Sequence, residues 1–190
     1  MREGRPDGTA QTAVEGAAKE SSQTTHFTVM DAEGRAVALT VTLNGNYGSA
    51  VVSSTYGIAL NNEMDDFTTR PGEPNMYGLI QGAGNEVAPG KRPLSSMSPT
   101  LVEKNGKIVM ALGAPGGPRI ITGVLQALFR ILTRQMDADS AVQAPRVHHQ
   151  FLPQVLSSTK IVFRPRCSRV CASADIRSKK AGWRKSTWSA

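Results

Sequence analysis

Apolar and β-branched positions first gather in two runs, His26 to Asp31 and Ala36-Val-Ala-Leu-Thr-Val-Thr-Leu43, on either side of Ala32-Glu-Gly-Arg35. Two such runs about a short glycine-bearing stretch predict an antiparallel hairpin. A loop-rich middle follows, with turn chemistry at Asn44-Gly-Asn-Tyr-Gly48, Asn61-Asn62 and Pro71-Gly-Glu-Pro-Asn-Met-Tyr-Gly78. Periodicity returns at Thr100 to Glu103 and Lys107 to Leu112, two short strands about Asn105-Gly106, a dipeptide that favours a tight hairpin. Beyond Pro118, Ile121, Leu125, Leu128 and Leu132, with Val124 and Ile131, predict a helix with one apolar stripe through about residue 134 that packs on a sheet. Asp137 or Asp139 caps a second, short helix ended by Pro145. Strands on both sides of a helical pair make the expected class α+β, in one domain.

Residues 1 to 23 break this pattern, being rich in Gly, Ala, Ser, Thr, Gln and charge, and read as a disordered, cleavable leader. Met1-Arg-Glu-Gly-Arg-Pro-Asp-Gly8 lacks the apolar core of a signal peptide. No apolar run approaches the roughly 18 residues of a membrane span.

Charge changes the picture at the other end. The chain carries a net charge of +7, yet residues 155 to 190 hold nine Lys/Arg against Asp175 alone, leaving 13 basic and 14 acidic side chains elsewhere. The body therefore has no electrostatic footprint for nucleic acid, and none is expected as a partner. Cys167, Cys171, Trp183 and Trp188 share that segment, so 155–190 reads as a basic tail, non-native or disordered, such as a shifted reading frame would produce.

Several constellations could carry chemistry. Thr24, in Gln23-Thr24-Thr25, becomes a competent nucleophile if the preceding bond is cut, because the freed α-amine then stands beside its hydroxyl as a general base. Gly113-Ala-Pro-Gly-Gly-Pro118 leads into the long helix and is either a plain glycine turn or a seat for an oxyanion. Ser95 and Ser96 offer paired hydroxyls without a nucleophile elbow, which suits binding or a polar loop. Glu63, Asp65 and Asp66 could receive an ammonium group, or form a solvated acidic turn. His148-His149 and Cys167-x-x-x-Cys171 lack the partners of a zinc site, and no metal is expected.

Taken together, Thr24-Thr-His-Phe-Thr-Val, Thr40-Val-Thr-Leu-Asn44, Asn61-Asn-Glu-Met-Asp-Asp-Phe67, Pro93-Leu-Ser-Ser-Met-Ser-Pro99 and Gly113-Ala-Pro-Gly-Gly117 resemble, in order and spacing, the small subunit of γ-glutamyltranspeptidases, the glutathione hydrolases. The likeness runs from about Glu20 to Pro153. It implies the N-terminal nucleophile hydrolase fold, a four-layer αββα sandwich that is incomplete without a large subunit. On this reading 1–23 is the end of the large-subunit region and 24–154 a truncated small-subunit-like domain. Arg35 departs from the family, standing where smaller polar residues are usual.

The resemblance implies self-cleavage between Gln23 and Thr24, then attack of Thr24 on a γ-glutamyl donor such as glutathione, with water, an amino acid or a peptide as acceptor. It implies Thr42 as a hydroxyl partner of Thr24, and the backbone of Gly116 and Gly117 as the oxyanion hole. Asn44, Glu63 and Asp66 would hold the donor α-amine, Ser95 and Ser96 its α-carboxylate, and Tyr77 would close over Asn44 from a lid loop, Pro71 to Gly82. The large subunit is implied as heterodimer partner, and no cofactor is required. Family residence would be periplasmic or extracellular. The competing expectations are a β-lactam side-chain acylase of the same superfamily, and a non-catalytic relic whose basic tail binds nucleic acid or acidic membrane.

Overall fold

The computed structural model describes residues 24–152, 154–158 and 177–180. The leader, Gln23, and both cysteines and tryptophans of the tail lie outside the described residues. The first pair of strands, β1 (Thr25–Met30) and β2 (Ala36–Val41), runs antiparallel with Thr25 opposite Val41. Its turn closes through Gly34 at φ +84° and through Arg35, whose Nε donates to Asp31 Oδ2 at 2.6 Å. A bulky arginine is thus accommodated at that turn by a local ion pair.

The second hairpin joins β3 (Thr100–Lys104) to β4 (Lys107–Leu112), and β2 lies beside it. Asn105 and Gly106, at φ +54° and +74°, supply the two left-handed residues a tight turn needs. Helix α1 (Arg119–Arg134) starts from Pro118, and α2 (Ala138–Gln143) is capped by Asp137, whose Oδ1 accepts the Ser140 N–H at 2.9 Å. Strand content mixed with two helices confirms the α+β class.

The core is small: Leu112, Ala114, Ile120, Val124 and Ala127 are buried together, with Met97, Val102, Met110 and Leu128 packed on them. Here the expected helix stripe needs correction. Ile120, Gly123, Val124 and Ala127 face the core, whereas Ile121, Leu125 and Leu132 are about half exposed or more. The helix is apolar on two adjoining faces, and the face of Ile120, Val124 and Ala127 is the one that packs with Leu112 of β4 and, beside it, Val102 of β3. The first hairpin behaves similarly. Its inward face carries His26, Thr28, Ala38 and Thr40, while Phe27, Val29, Val37, Leu39 and Val41 look outward and are exposed.

A third sheet contains β5 (Val147–His148), β6 (Val155–Ser158) and β7 (Arg177–Lys180), β5 antiparallel and β7 parallel to β6. Strand β6 begins at the residue where the basic tail was expected to begin. Val155-Leu156 gives this stretch the apolar, β-compatible character that the positive charge further along obscures. Among the described residues no helix is long and apolar enough to cross a membrane.

Candidate active site

Thr24 immediately precedes β1 and is buried, 7% exposed. The end of β2 delivers Thr42 opposite it, because antiparallel register pairs Thr25 with Val41. The two hydroxyl oxygens are 3.1 Å apart, and Thr42 Oγ1 also accepts the Asn44 N–H at 2.9 Å.

Asn44 is the hinge of the site. It is 3% exposed and left-handed at φ +69°, a conformation asparagine tolerates. Its Nδ2 donates to Asp66 Oδ1 at 3.2 Å and to the Asn62 carbonyl at 3.4 Å. Its Oδ1 accepts the Tyr77 hydroxyl at 2.7 Å, and its carbonyl lies 3.1 Å from the same hydroxyl. Each polar atom of the side chain is therefore committed, which fixes how the amide is turned.

Glu63 and Asp66 lie on one 3₁₀ turn, Glu63–Asp66. Burial, then a hydrogen bond and like-charge repulsion from Asp66, push the Glu63 carboxyl up to about 7. Burial raises Asp66 too, aided by Asp65 and opposed by its bonds to Glu63 and Asn44. Two carboxyls held this way can share a proton, and with that proton lost they present the negative charge that a cation would need.

The glycine turn completes the arrangement. Gly116 and Gly117 take φ +134° and +55°, and their carbonyls accept the N–H groups of Arg119 and Ile120 as α1 begins. A Cβ on Gly117 would stand 2.9 Å from the Tyr77 ring, so the lid loop rests directly on this glycine.

One open pocket of about 420 Å³, counted out to bulk solvent, is lined by Thr24, Thr42, Asn44, Glu63, Asp66, Tyr77, Ser95, Ser96 and Gly117. Of the residues expected from sequence, Gly116 and Asp65 are not on its wall: Gly116 lies one residue behind Gly117, and Asp65 Oδ2 instead accepts the Met76 N–H at 3.0 Å. The Ser95 hydroxyl accepts the Met97 N–H at 3.2 Å, and the Ser96 carbonyl accepts the Ser98 hydroxyl at 3.1 Å. No group of three or more potential metal ligands occurs among the described residues.

Sequence reasoning missed the braces around this pocket. Asn85 Nδ2 donates to the Asp66 carbonyl at 2.7 Å while its Oδ1 accepts the Leu94 N–H at 2.9 Å, tying the carboxylate turn to the serine segment. His26 Nδ1 lies 2.8 Å from Thr40 Oγ1, and the ring covers Gly113 so closely that a Cβ there would meet it at 2.1 Å. His148 joins no metal site. Its Nδ1 meets Thr122 Oγ1 and its Nε2 meets Gln150 Oε1, both at 2.9 Å.

Residues 3–169 match the family model described as gamma-glutamyltranspeptidase, a longer span than the motifs alone indicate. The glutathione hydrolase proenzyme of Escherichia coli strain K12 is 52% identical over 141 residues, covering 74% of this chain and 24% of that protein. The glutathione hydrolase proenzyme of Pseudomonas sp. strain A14 is 47% identical over 154 residues, covering 81% and 27% respectively. The chain thus spans about a quarter of the length of these relatives. Among solved structures, the T380A mutant of Helicobacter pylori gamma-glutamyltranspeptidase aligns with a TM-score of 0.76 at 44% identity, covering 83% of this chain and 84% of that one.

Proposed function

Because the chain belongs to the γ-glutamyltranspeptidase family, we propose that it is the nucleophile-bearing part of an enzyme that hydrolyses glutathione and other γ-glutamyl amides, or transfers their γ-glutamyl group to an amino acid or peptide. The observation that carries this reading is the meeting of the Thr24–Thr42 hydroxyl pair and the Glu63–Asp66 carboxyl pair in one pocket. A γ-glutamyl head has an ammonium group at one end and an electrophilic carbonyl at the other, and these two pairs suit those ends.

Maturation comes first. Thr24 Oγ1 attacks the Gln23 carbonyl, the acyl group shifts from nitrogen to oxygen, and water hydrolyses the ester, freeing the α-amine. In turnover that amine takes the Oγ1 proton as Oγ1 bonds the γ-carbonyl carbon. The oxyanion faces the N–H groups of Gly116 and Gly117 at the start of α1, where the helix dipole favours negative charge. Collapse breaks the amide C–N bond and the proton leaves with the amine. Water or an incoming amine then attacks the acyl-enzyme ester and regenerates Thr24.

Glu63, Asp66 and Asn44 hold the donor ammonium, Ser95 and Ser96 its α-carboxylate, and Tyr77 closes the loop over them. A large subunit supplies the remaining layers of the αββα sandwich, covering the apolar face of the first hairpin and that of α1, and residence is periplasmic or extracellular.

The test is intact-mass and N-terminal analysis of the 190-residue chain, alone and with a family large subunit, alongside release of a γ-glutamyl anilide. Cleavage before Thr24 and anilide release that both vanish in Thr24→Ala are expected. A chain still beginning at Met1 and inert in both settings would overturn the catalytic reading.

A further inference from the structure

The segment after α2 forms a strap that reaches the lid loop. Gln126 on α1 sews its start in place, donating to the Val147 carbonyl at 2.7 Å and accepting the Val147 N–H at 3.0 Å. One residue on, His148 is buried against Thr122 of the same helix. Gln150 then accepts from His148 with Oε1 and donates from Nε2 to the Tyr77 carbonyl at 2.9 Å.

The Tyr77 carbonyl can only accept, so the Gln150 amide donates to it from Nε2 and its Oε1 is left to accept from His148 Nε2–H. Thr122 Oγ1, which donates to the Arg119 carbonyl at 3.2 Å, stands 2.9 Å from His148 Nδ1 on the other side of the ring. Reversing the Gln150 amide would set its NH₂ against the Nε2–H and its oxygen against the carbonyl. The relay therefore orients Gln150 as a donor to the lid. Tyr77 in turn carries the hydroxyl on Asn44 and the ring on Gly117.

We propose that Gln150 is a positioning residue that latches the 71–82 loop: it anchors the Tyr77 backbone to α1 through His148 and Thr122, and so sets the closure of Tyr77 over Asn44. The consequence for donor binding rests on the function proposed above; the latch itself does not.

Hydrogen exchange of the full 190-residue chain without substrate tests it. Asn75, Tyr77, Gly78 and Leu79 all carry hydrogen-bonded amides inside the loop, so their exchange reports its opening. In Gln150→Ala, loss of one neutral hydrogen bond is expected to speed exchange in 71–82 about fivefold, with β3 and β4 unchanged. Gln150→Glu keeps an acceptor for His148 but cannot donate to a carbonyl, and the same acceleration is expected; it also serves if the alanine variant does not fold. Wild-type exchange in the loop of both variants, or acceleration spread equally into β3 and β4, overturns the latch. In turnover the latch predicts a donor KM raised about fivefold at unchanged kcat, from the same lost bond. A wild-type chain inert toward the donor both alone and with a large subunit counts against the proposed function, while the exchange comparison still decides the latch.

Discussion

Thr24 Oγ1 lies 3.1 Å from Thr42 Oγ1, whose hydroxyl already accepts the Asn44 N–H at 2.9 Å. With one lone pair of Thr42 committed to a backbone amide, its proton is free to point at Thr24. A donor on that side turns the Thr24 proton toward the α-amine and stabilises the oxygen as it loses the proton. Thr42→Val keeps the shape and removes the hydroxyl. Single-turnover acylation should slow about tenfold, the worth of one hydrogen bond of ~1.4 kcal/mol, while Thr42→Ser retains most of the rate. Unchanged acylation in the valine variant would remove Thr42 from the mechanism.

Glu63 makes ligand capture depend on pH. Its carboxyl is raised from 4.5 to about 7, first by burial and then by Asp66. Below about 7 the pair carries one negative charge fewer, so an ammonium ligand binds less tightly; above it, capture is at full strength. Calorimetric binding of L-glutamate to Thr24→Ala isolates this effect from the α-amine of the nucleophile. Affinity should rise between about pH 6 and 8 with proton release, and Glu63→Gln should flatten the dependence. A pH-independent affinity in the parent would show that the carboxyl pair does not receive the ammonium.

The same shift has a stability counterpart. A carboxyl whose folded pKa exceeds its unfolded value contributes stability below 4.5 that is lost as pH rises through about 7. Glu63 is partly exposed and solvent screens it, so the effect is only about 1 kcal/mol. Glu63→Gln should therefore unfold at higher denaturant than the parent at pH 8 and not at pH 4. Identical midpoints at pH 8 would argue against the raised carboxyl.

What could be read in advance was local. Asn105-Gly106 declares a hairpin turn, and Asp137 or Asp139 a helix cap that Asp137 takes, because each acts on neighbours within a few residues. The expected pocket residues other than Tyr77 were legible through five motifs, and Tyr77 through the lid loop that the resemblance implied. The braces were not, because each is defined by a contact between distant segments. Gln150 and Tyr77 are 73 residues apart, and nothing near either names the other. Helix α1 misled for a different reason: apolar on two adjoining faces, its periodicity could not choose between Ile120-Val124-Ala127 and Ile121-Leu125, and only packing against β4 decides.

That second face has a measurable consequence. Leu125 is 62% and Phe129 52% exposed, beside Ile121 and Leu132, and such contiguous apolar surface favours association. The chain alone should self-associate with rising concentration in light scattering, and Leu125→Lys with Phe129→Lys should suppress it while sparing the buried core cluster, to which neither residue belongs. The large-subunit proposal adds that the double variant should lose heterodimer formation. A double variant that still pairs normally with a large subunit would remove this face from that interface.

His26 and Gly113 offer the sharpest coupling. The ring sits where a Gly113 Cβ would be, 2.1 Å from its Cε1, and Nδ1 is held by Thr40. Gly113 is buried at the end of β4, so neither neighbour can yield cheaply. Gly113→Ala should cost about 1–3 kcal/mol by overpacking, seen as a lower denaturant midpoint. His26→Ala alone leaves a void and loses the Thr40 bond, yet combined with Gly113→Ala it removes the clash. The double variant should accordingly be more stable than the sum of the single changes by more than about 1 kcal/mol, beyond the additivity expected of independent sites. Because the turn after Gly113 carries Gly116 and Gly117, acylation should follow stability in this cycle; a cycle that adds without interaction would separate His26 from that turn.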